Sequence, residues 1–140
     1  MYLVDTNVWL ERLLGQEKSD EVGEFLDQVP SNRLSITDFA FHSICLILLR
    51  LKRKQALLDF VQDVFFNASV ALITLKPEDT QKVVEAVDKF SLDFDDAYQY
   101  VAAERHGLVI VSFDSDLDRT KRGKKTPAEI LIEINVANEK

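Results

Sequence analysis

Two short apolar runs, Tyr2-Leu3-Val4 and Leu108-Val109-Ile110-Val111, lie at opposite ends of the chain, and each leads within a few residues into aspartate. The first meets Asp5-Thr6-Asn7, and the second continues as Ser112-Phe113-Asp114-Ser115-Asp116. Runs this short and apolar read as buried strands of a parallel sheet, with carboxylates at their carboxyl ends. Open α/β sheets bind ligands in the crevice outside those ends, where the strand order reverses. Acids gathered there repel one another, so at neutral pH they share protons or hold a cation.

The rest of the chain alternates strand with helix. After the strand at 2–5, helices span Asn7 to Leu14, closed by Gly15, and Ser19 to Val29, stopped by Pro30. Arg33 to Ile36 is a strand, Thr37 or Asp38 caps a long helix to about Lys52, and another helix runs from about Gln55 to Asn67. Val70 to Thr74 is the third strand. Pro77 opens a helix to about Phe90, Asp93 caps the helix Phe94 to His106, and Gly107 ends it before the strand at 108–112. A short fifth strand near Lys125 and a helix Pro127 to Asn135 complete the chain. The expected fold is a three-layer α/β/α domain over residues 1–140, around a central parallel sheet of four or five strands.

The 140 residues suffice to bury roughly two thirds of the unfolded chain's surface as one domain. Cys45 is the sole cysteine, which excludes an intrachain disulfide, and within its apolar run it reads as a buried, inert thiol. A reducing cytoplasm suits such a chain. The longest unbroken apolar run, Ile44 to Leu49, is far short of the ~20 residues that span a bilayer, and no basic-then-apolar leader opens the sequence. The expectation is a soluble, unexported protein. A net charge of −7 argues against nucleic-acid binding by bulk attraction but leaves a nucleic-acid enzyme open. Basic residues cluster at Arg50 to Lys54 and at Arg119 to Lys125, as solvated helix ends or as contacts to a polyanion.

A third acidic group, Asp93, Asp95 and Asp96, falls in the first turn of the helix before the last strand. Capping and the helix dipole account for one or two of these acids, but not for three.

These residues resemble the PIN-domain ribonucleases, and especially the VapC-like toxins of prokaryotic toxin–antitoxin pairs, over nearly the whole chain. Tyr2-Leu3-Val4-Asp5-Thr6-Asn7-Val8 is similar to the family's opening motif. Phe94-Asp95-Asp96-Ala97 with Ala102-Ala103-Glu104-Arg105-His106-Gly107 is similar to its acidic helix, and Val109-Ile110-Val111-Ser112-Phe113-Asp114-Ser115-Asp116-Leu117 to its closing motif. The resemblance implies that Asp5, Asp96 and Asp114 hold Mg²⁺ or Mn²⁺. Asp116 would bind a second ion or orient water, while Thr6, Asn7 and Ser112 fix the carboxylates from behind. It implies hydrolysis of RNA phosphodiester bonds by a metal-dependent endoribonuclease, an antitoxin partner and a homodimer.

One departure concerns the Glu that the family usually carries after the second strand. Ser35-Ile36-Thr37-Asp38-Phe39-Ala40-Phe41-His42 has none, and His42 stands at or beside its place. His42 either ligates a transition metal or acts as acid or base, or it is a hydrogen-bonded half-buried histidine. Asp38, one helical turn earlier, either substitutes for the carboxylate or caps the helix. The missing Glu keeps alive a second reading, a catalytically impaired PIN-like module that binds RNA or a protein partner. A phosphoacceptor receiver domain also gathers acids at strand ends. It is disfavoured because no paired acids follow the first strand.

The helix 38–51 is apolar almost all round through Phe39, Phe41, Ile44, Cys45, Leu46, Ile47, Leu48, Leu49 and Leu51. Such a helix calls for cover on every side, from a central core position or from a second copy or partner helix, a surface that Trp9 and Leu10 would extend.

Overall fold

The computed structural model describes residues 1–139. Four strands, β1 (Tyr2–Val4), β2 (Leu34–Thr37), β3 (Ala71–Ile73) and β4 (Val109–Val111), form one parallel sheet in the order β3-β2-β1-β4. Among the described residues seven α-helices accompany them: α1 (Thr6–Leu13), α2 (Ser19–Gln28), α3 (Asp38–Arg50), α4 (Lys54–Val61), α5 (Thr80–Phe90), α6 (Phe94–His106) and α7 (Pro127–Asn138). The expected helix from Gln55 to Asn67 is α4 continued by a π-helical turn, Gln62–Phe66. The expected fifth strand is a single bridge, in which Lys125 donates its N–H to Ile110 (2.8 Å) and accepts that of Ser112 (3.0 Å).

Successive strand residues point to opposite faces, and both faces are covered. Val4 and Val111 pack with Val8, Phe25, Ile44, Leu48 and Ile130, which belong to helices α1, α2, α3 and α7. Leu3 and Ile110 pack against Ala102 and Ala103 of α6, with α5 behind through Val83 and Ala86. The result is the expected three-layer α/β/α arrangement. Because β1 lies between β2 and β4, the chain crosses over between its first and last strands at β1, and the crevice opens where Asp5 and Ser112 emerge.

Two expectations bear on α3. The helix buries only Ala40, Ile44 and Leu48, leaving Leu46, Leu49 and Leu51 at 40%, 52% and 51% exposure, so the chain's own core does not cover it on every side. Cys45 is half-buried rather than enclosed, although burial still pushes its thiol pKa up. No helix among the described residues is long and apolar enough to cross a membrane.

Candidate active site

Pairing of Leu3 with Ile110 and Val4 with Val111 brings the two strand ends level, and Asp5 donates its N–H to the Val111 carbonyl (2.9 Å). Asp5 is thereby buried as the N-cap of α1, accepting the Thr6 N–H on Oδ1 (2.7 Å). Its Oδ2 accepts the Ser112 hydroxyl (2.7 Å) and the Asn7 amide (3.3 Å). Asn7 also donates to Ser112 Oγ (3.2 Å) and accepts the Phe113 N–H (3.1 Å), tying the loop after β4 to α1. From α6, the Gln99 amide donates to Asp5 Oδ1.

Asp96 enters from the first turn of α6, where Asp93 Oδ1 accepts its N–H (2.9 Å) and so acts as the cap. Its side chain is buried and its Oδ2 has no hydrogen-bond partner among the described residues. Asp114 follows β4, its N–H donating to Ser112 Oγ (2.9 Å) and its Oδ1 accepting the Asp116 N–H (2.9 Å). One carboxylate oxygen from each of Asp96, Asp114 and Asp116 lies within 4.8 Å of the others. Asp5, Asp96, Asp114 and Gln99 line one open pocket of ≈300 Å³, whose far wall is Phe39, Ser43 and Ile47 of α3.

A PIN domain family model matches residues 2–123. The chain belongs to the PIN-domain family. Solved structures similar to this PIN chain include a toxin–antitoxin complex from Klebsiella pneumoniae, with 16% identity over 91% of this chain and 98% of that one and a TM-score of 0.73. FitAcB from Neisseria gonorrhoeae is 18% identical over 91% and 99%, with a TM-score of 0.76. VapC20 from Mycobacterium tuberculosis, a toxin that cleaves the sarcin-ricin loop, is 15% identical over 83% and 92%, with a TM-score of 0.71. No curated protein sequence matches significantly.

The electrostatics of the PIN pocket are those of crowded, poorly solvated carboxylates. Burial, outweighing the hydrogen bonds from Ser112 and Thr6, pushes Asp5 up to about 6. Burial and then the adjoining Asp114 push Asp96 up to about 8. Asp96 Oδ2, buried and without a hydrogen-bond partner among the described residues, beside the Asp114 carboxylate is a poor resting state for two anions, and an ion with hard, oxygen-seeking character fits this donor set. The three closest acids are Asp96, Asp114 and Asp116, whereas Asp5 adjoins them with both oxygens already engaged by protein donors. Asp116 is exposed and 3.5 Å from the Arg119 guanidinium.

The helix that in other PIN proteins usually supplies a Glu presents Phe39, Ser43 and Ile47 to the pocket, one residue per turn. His42 is exposed and does not line the pocket. Asp38 accepts the Phe39 N–H (2.9 Å) and the Tyr98 hydroxyl (2.7 Å), while the cap of α3 is Thr37, whose Oγ1 accepts the Ala40 N–H (3.0 Å). Thr6 contributes its backbone N–H to Asp5. Gln99 escapes sequence reasoning; its signal is a polar side chain three residues after Asp96, and so on the same helical face, within an otherwise apolar stretch.

Proposed function

We propose that this PIN-domain protein is a Mg²⁺- or Mn²⁺-dependent endoribonuclease of toxin type. The observation that carries the reading is the gathering of carboxylate oxygens of Asp96, Asp114 and Asp116 within 4.8 Å of one another, with Asp96 Oδ2 buried and without a hydrogen-bond partner among the described residues, next to Asp5. Asp96 and Asp114 would hold the cation, joined by Asp5 from the floor of the pocket and Asp116 from its rim. When bound, such a cation polarises a phosphate oxygen and lowers the pKa of water. The protein's own contribution is rigidity. Asn7 and Ser112 lock the Asp5 carboxylate and the Asp114 backbone together, and Asp93 clamps the turn carrying Asp96. Arg119, 3.5 Å from Asp116, and Lys18, whose Nζ lies 4.8 Å from the centre of the Phe113 ring one residue before Asp114, would meet the backbone phosphates.

Two protein partners belong to the same reading. An antitoxin segment suits the apolar groove of ≈310 Å³ between Trp9, Leu13, Leu26, Phe60 and Val64. The uncovered side of α3 suits a second copy of the chain. A cytoplasmic site of action goes with a lone, half-buried cysteine and an RNA substrate.

The test is cleavage of structured RNA with and without each metal, by the wild type and by Asp5→Asn, Asp96→Asn and Asp114→Asn variants. Cleavage dependent on metal and lost in the variants is expected. Absence of cleavage in both metals, or equal cleavage by the variants, overturns the reading. A second reading, a PIN module that binds RNA or protein without cutting, is favoured by the wall of α3, which offers no carboxylate to the pocket. Calorimetry with Mn²⁺ separates them, since a non-catalytic pocket is expected to bind the ion weakly or not at all.

A further inference from the structure

Phe94 opens α6 two residues before Asp96, and its side chain is 50% exposed. Its ring packs tilted against Phe39 (centroids 5.8 Å apart) and Tyr98 (6.0 Å), and Phe39 and Tyr98 are themselves 5.6 Å apart. The three rings form a partition. Phe39 is a wall of the acidic pocket, while Phe94 and Tyr98 wall a neighbouring hollow of ≈150 Å³ that also carries Lys76, Pro77 and Thr80. The partition is anchored from behind, because the Tyr98 hydroxyl donates to Asp38 (2.7 Å) and accepts the Leu75 N–H (3.0 Å). Phe94 is its outward ring.

We propose that Phe94, backed by Phe39 and Tyr98, is a stacking platform for one unpaired base of the RNA whose phosphate lies among Asp5, Asp96 and Asp114. The proposal rests on the RNA reading of the acidic pocket. Single-stranded RNA is held largely by stacking its splayed bases on aromatic side chains, and every base offers a face for this. An acidic pocket repels the phosphodiester backbone, so a platform that gains affinity from the base meets a need of this site. Lys76 lines the same hollow beside Asp79, whose charge is paired with Arg105, and its ammonium is the cation this reading assigns to the adjoining phosphate. A base within an intact duplex cannot reach the ring, so the platform selects single strands, loops and bulges.

The test uses short oligoribonucleotides carrying 2-aminopurine at one position each, bound to the Asp114→Asn protein so that they stay intact. Fluorescence quenching at one position, and about tenfold weaker binding with loss of that quenching in Phe94→Ala and Phe94→Leu, are expected. Phe94→Tyr should restore both, and thermal melts confirm that all variants fold. Unquenched probe at every position, no binding of single strands, or unchanged affinity in Phe94→Ala overturns the proposal and leaves the ring to a protein partner. Cleavage by the otherwise wild-type chain keeps the two ideas apart. If it cuts RNA and Phe94→Ala cuts with unchanged KM, the platform fails and the nuclease stands; if it cuts none yet quenching depends on Phe94, the nuclease fails and the platform stands.

Discussion

The Nε2 of Gln99 donates to Oδ1 of Asp5, joining residues 94 apart in the chain and linking α6 to the end of β1 inside the acidic pocket. Gln99 is buried, and its Oε1 has no partner among the described residues. Its donor is therefore committed to a carboxylate that already receives the Thr6 N–H on the same oxygen and Ser112 and Asn7 on the other.

Replacing Gln99 by Leu removes one donor while keeping the helix and most of the volume. Hydrogen bonds to the ionised form favour it, so the Asp5 carboxyl becomes harder to ionise and freer to rotate. Residues that orient metal-binding groups typically contribute 10- to 100-fold to metal affinity. Calorimetric titration with Mn²⁺ should show a loss of about that size in Gln99→Leu; an affinity within twofold of wild type would mean that Asp5 is held well enough without the amide.

Proton linkage gives the metal-free protein an unusual pH profile. Asp5 is raised to about 6 and Asp96 to about 8, both chiefly by burial, whereas unfolded carboxyls titrate near ~4. Between those values the folded chain binds more protons than the unfolded one, so the slope of stability against pH is negative. Destabilisation begins above about 4 and is complete above about 8. Asp79 has the opposite shift, but its contribution is lost only at acid pH, outside this window. Melting temperature in a chelator should thus fall from pH 5 to pH 8, and saturating Mn²⁺ should abolish the fall. A flat profile in chelator would show that the two acids are better solvated than their burial implies.

Much of this site is legible in the sequence because backbone rules place it. Asp5 and Asp114 follow strands, and parallel pairing must bring adjacent strand ends together. Asp93 and Gly107 bound α6 by capping chemistry, which fixes where Asp96 emerges. The side of α3 that faces the pocket is illegible, since a helix apolar all round carries no phase. Periodicity cannot choose Ser43 over His42 when Phe39, Phe41, Ile44 and Leu46 surround both. Gln99 is hidden for a related reason, because nothing in Ala97-Tyr98-Gln99-Tyr100-Val101 marks an amide as facing a carboxylate contributed by β1. The boundary between α4 and its π-helical turn depends on a shift of one residue in hydrogen-bond partner, which composition does not encode.

Asp79 is a contrasting acid. It lies in the turn before α5, accepts the Lys76 N–H on Oδ2 (2.8 Å) and pairs with Arg105 of α6 through Oδ1, and these donors hold its carboxyl below the usual range, the Lys76 N–H foremost. With Arg105 nearly half exposed, solvent screens the ion pair, and the backbone hydrogen bond dominates. Asp79→Ala should lower the urea midpoint while leaving Mn²⁺ affinity and RNA cleavage unchanged. A parallel loss of metal affinity would reveal that the α5–α6 junction positions Asp96.

The uncovered side of α3 makes a prediction about assembly. Leu46 and Leu49, three residues apart, share one helical face, and Leu58 of α4 and Phe66 of the π-helical turn are exposed at 55% and 73%. Specific, stable interfaces bury roughly 800 Å² per partner or more, with an apolar centre in homodimers, and a face built on α3 would supply such a centre. Sedimentation velocity at micromolar concentration should give a dimer for the wild type and a monomer for Leu49→Glu. Because Leu49 is already half exposed and outside the core, the substitution should leave the thermal transition of the monomer nearly in place. A wild-type chain that stays monomeric at high concentration removes the second copy as the cover for α3 and leaves that face to another protein.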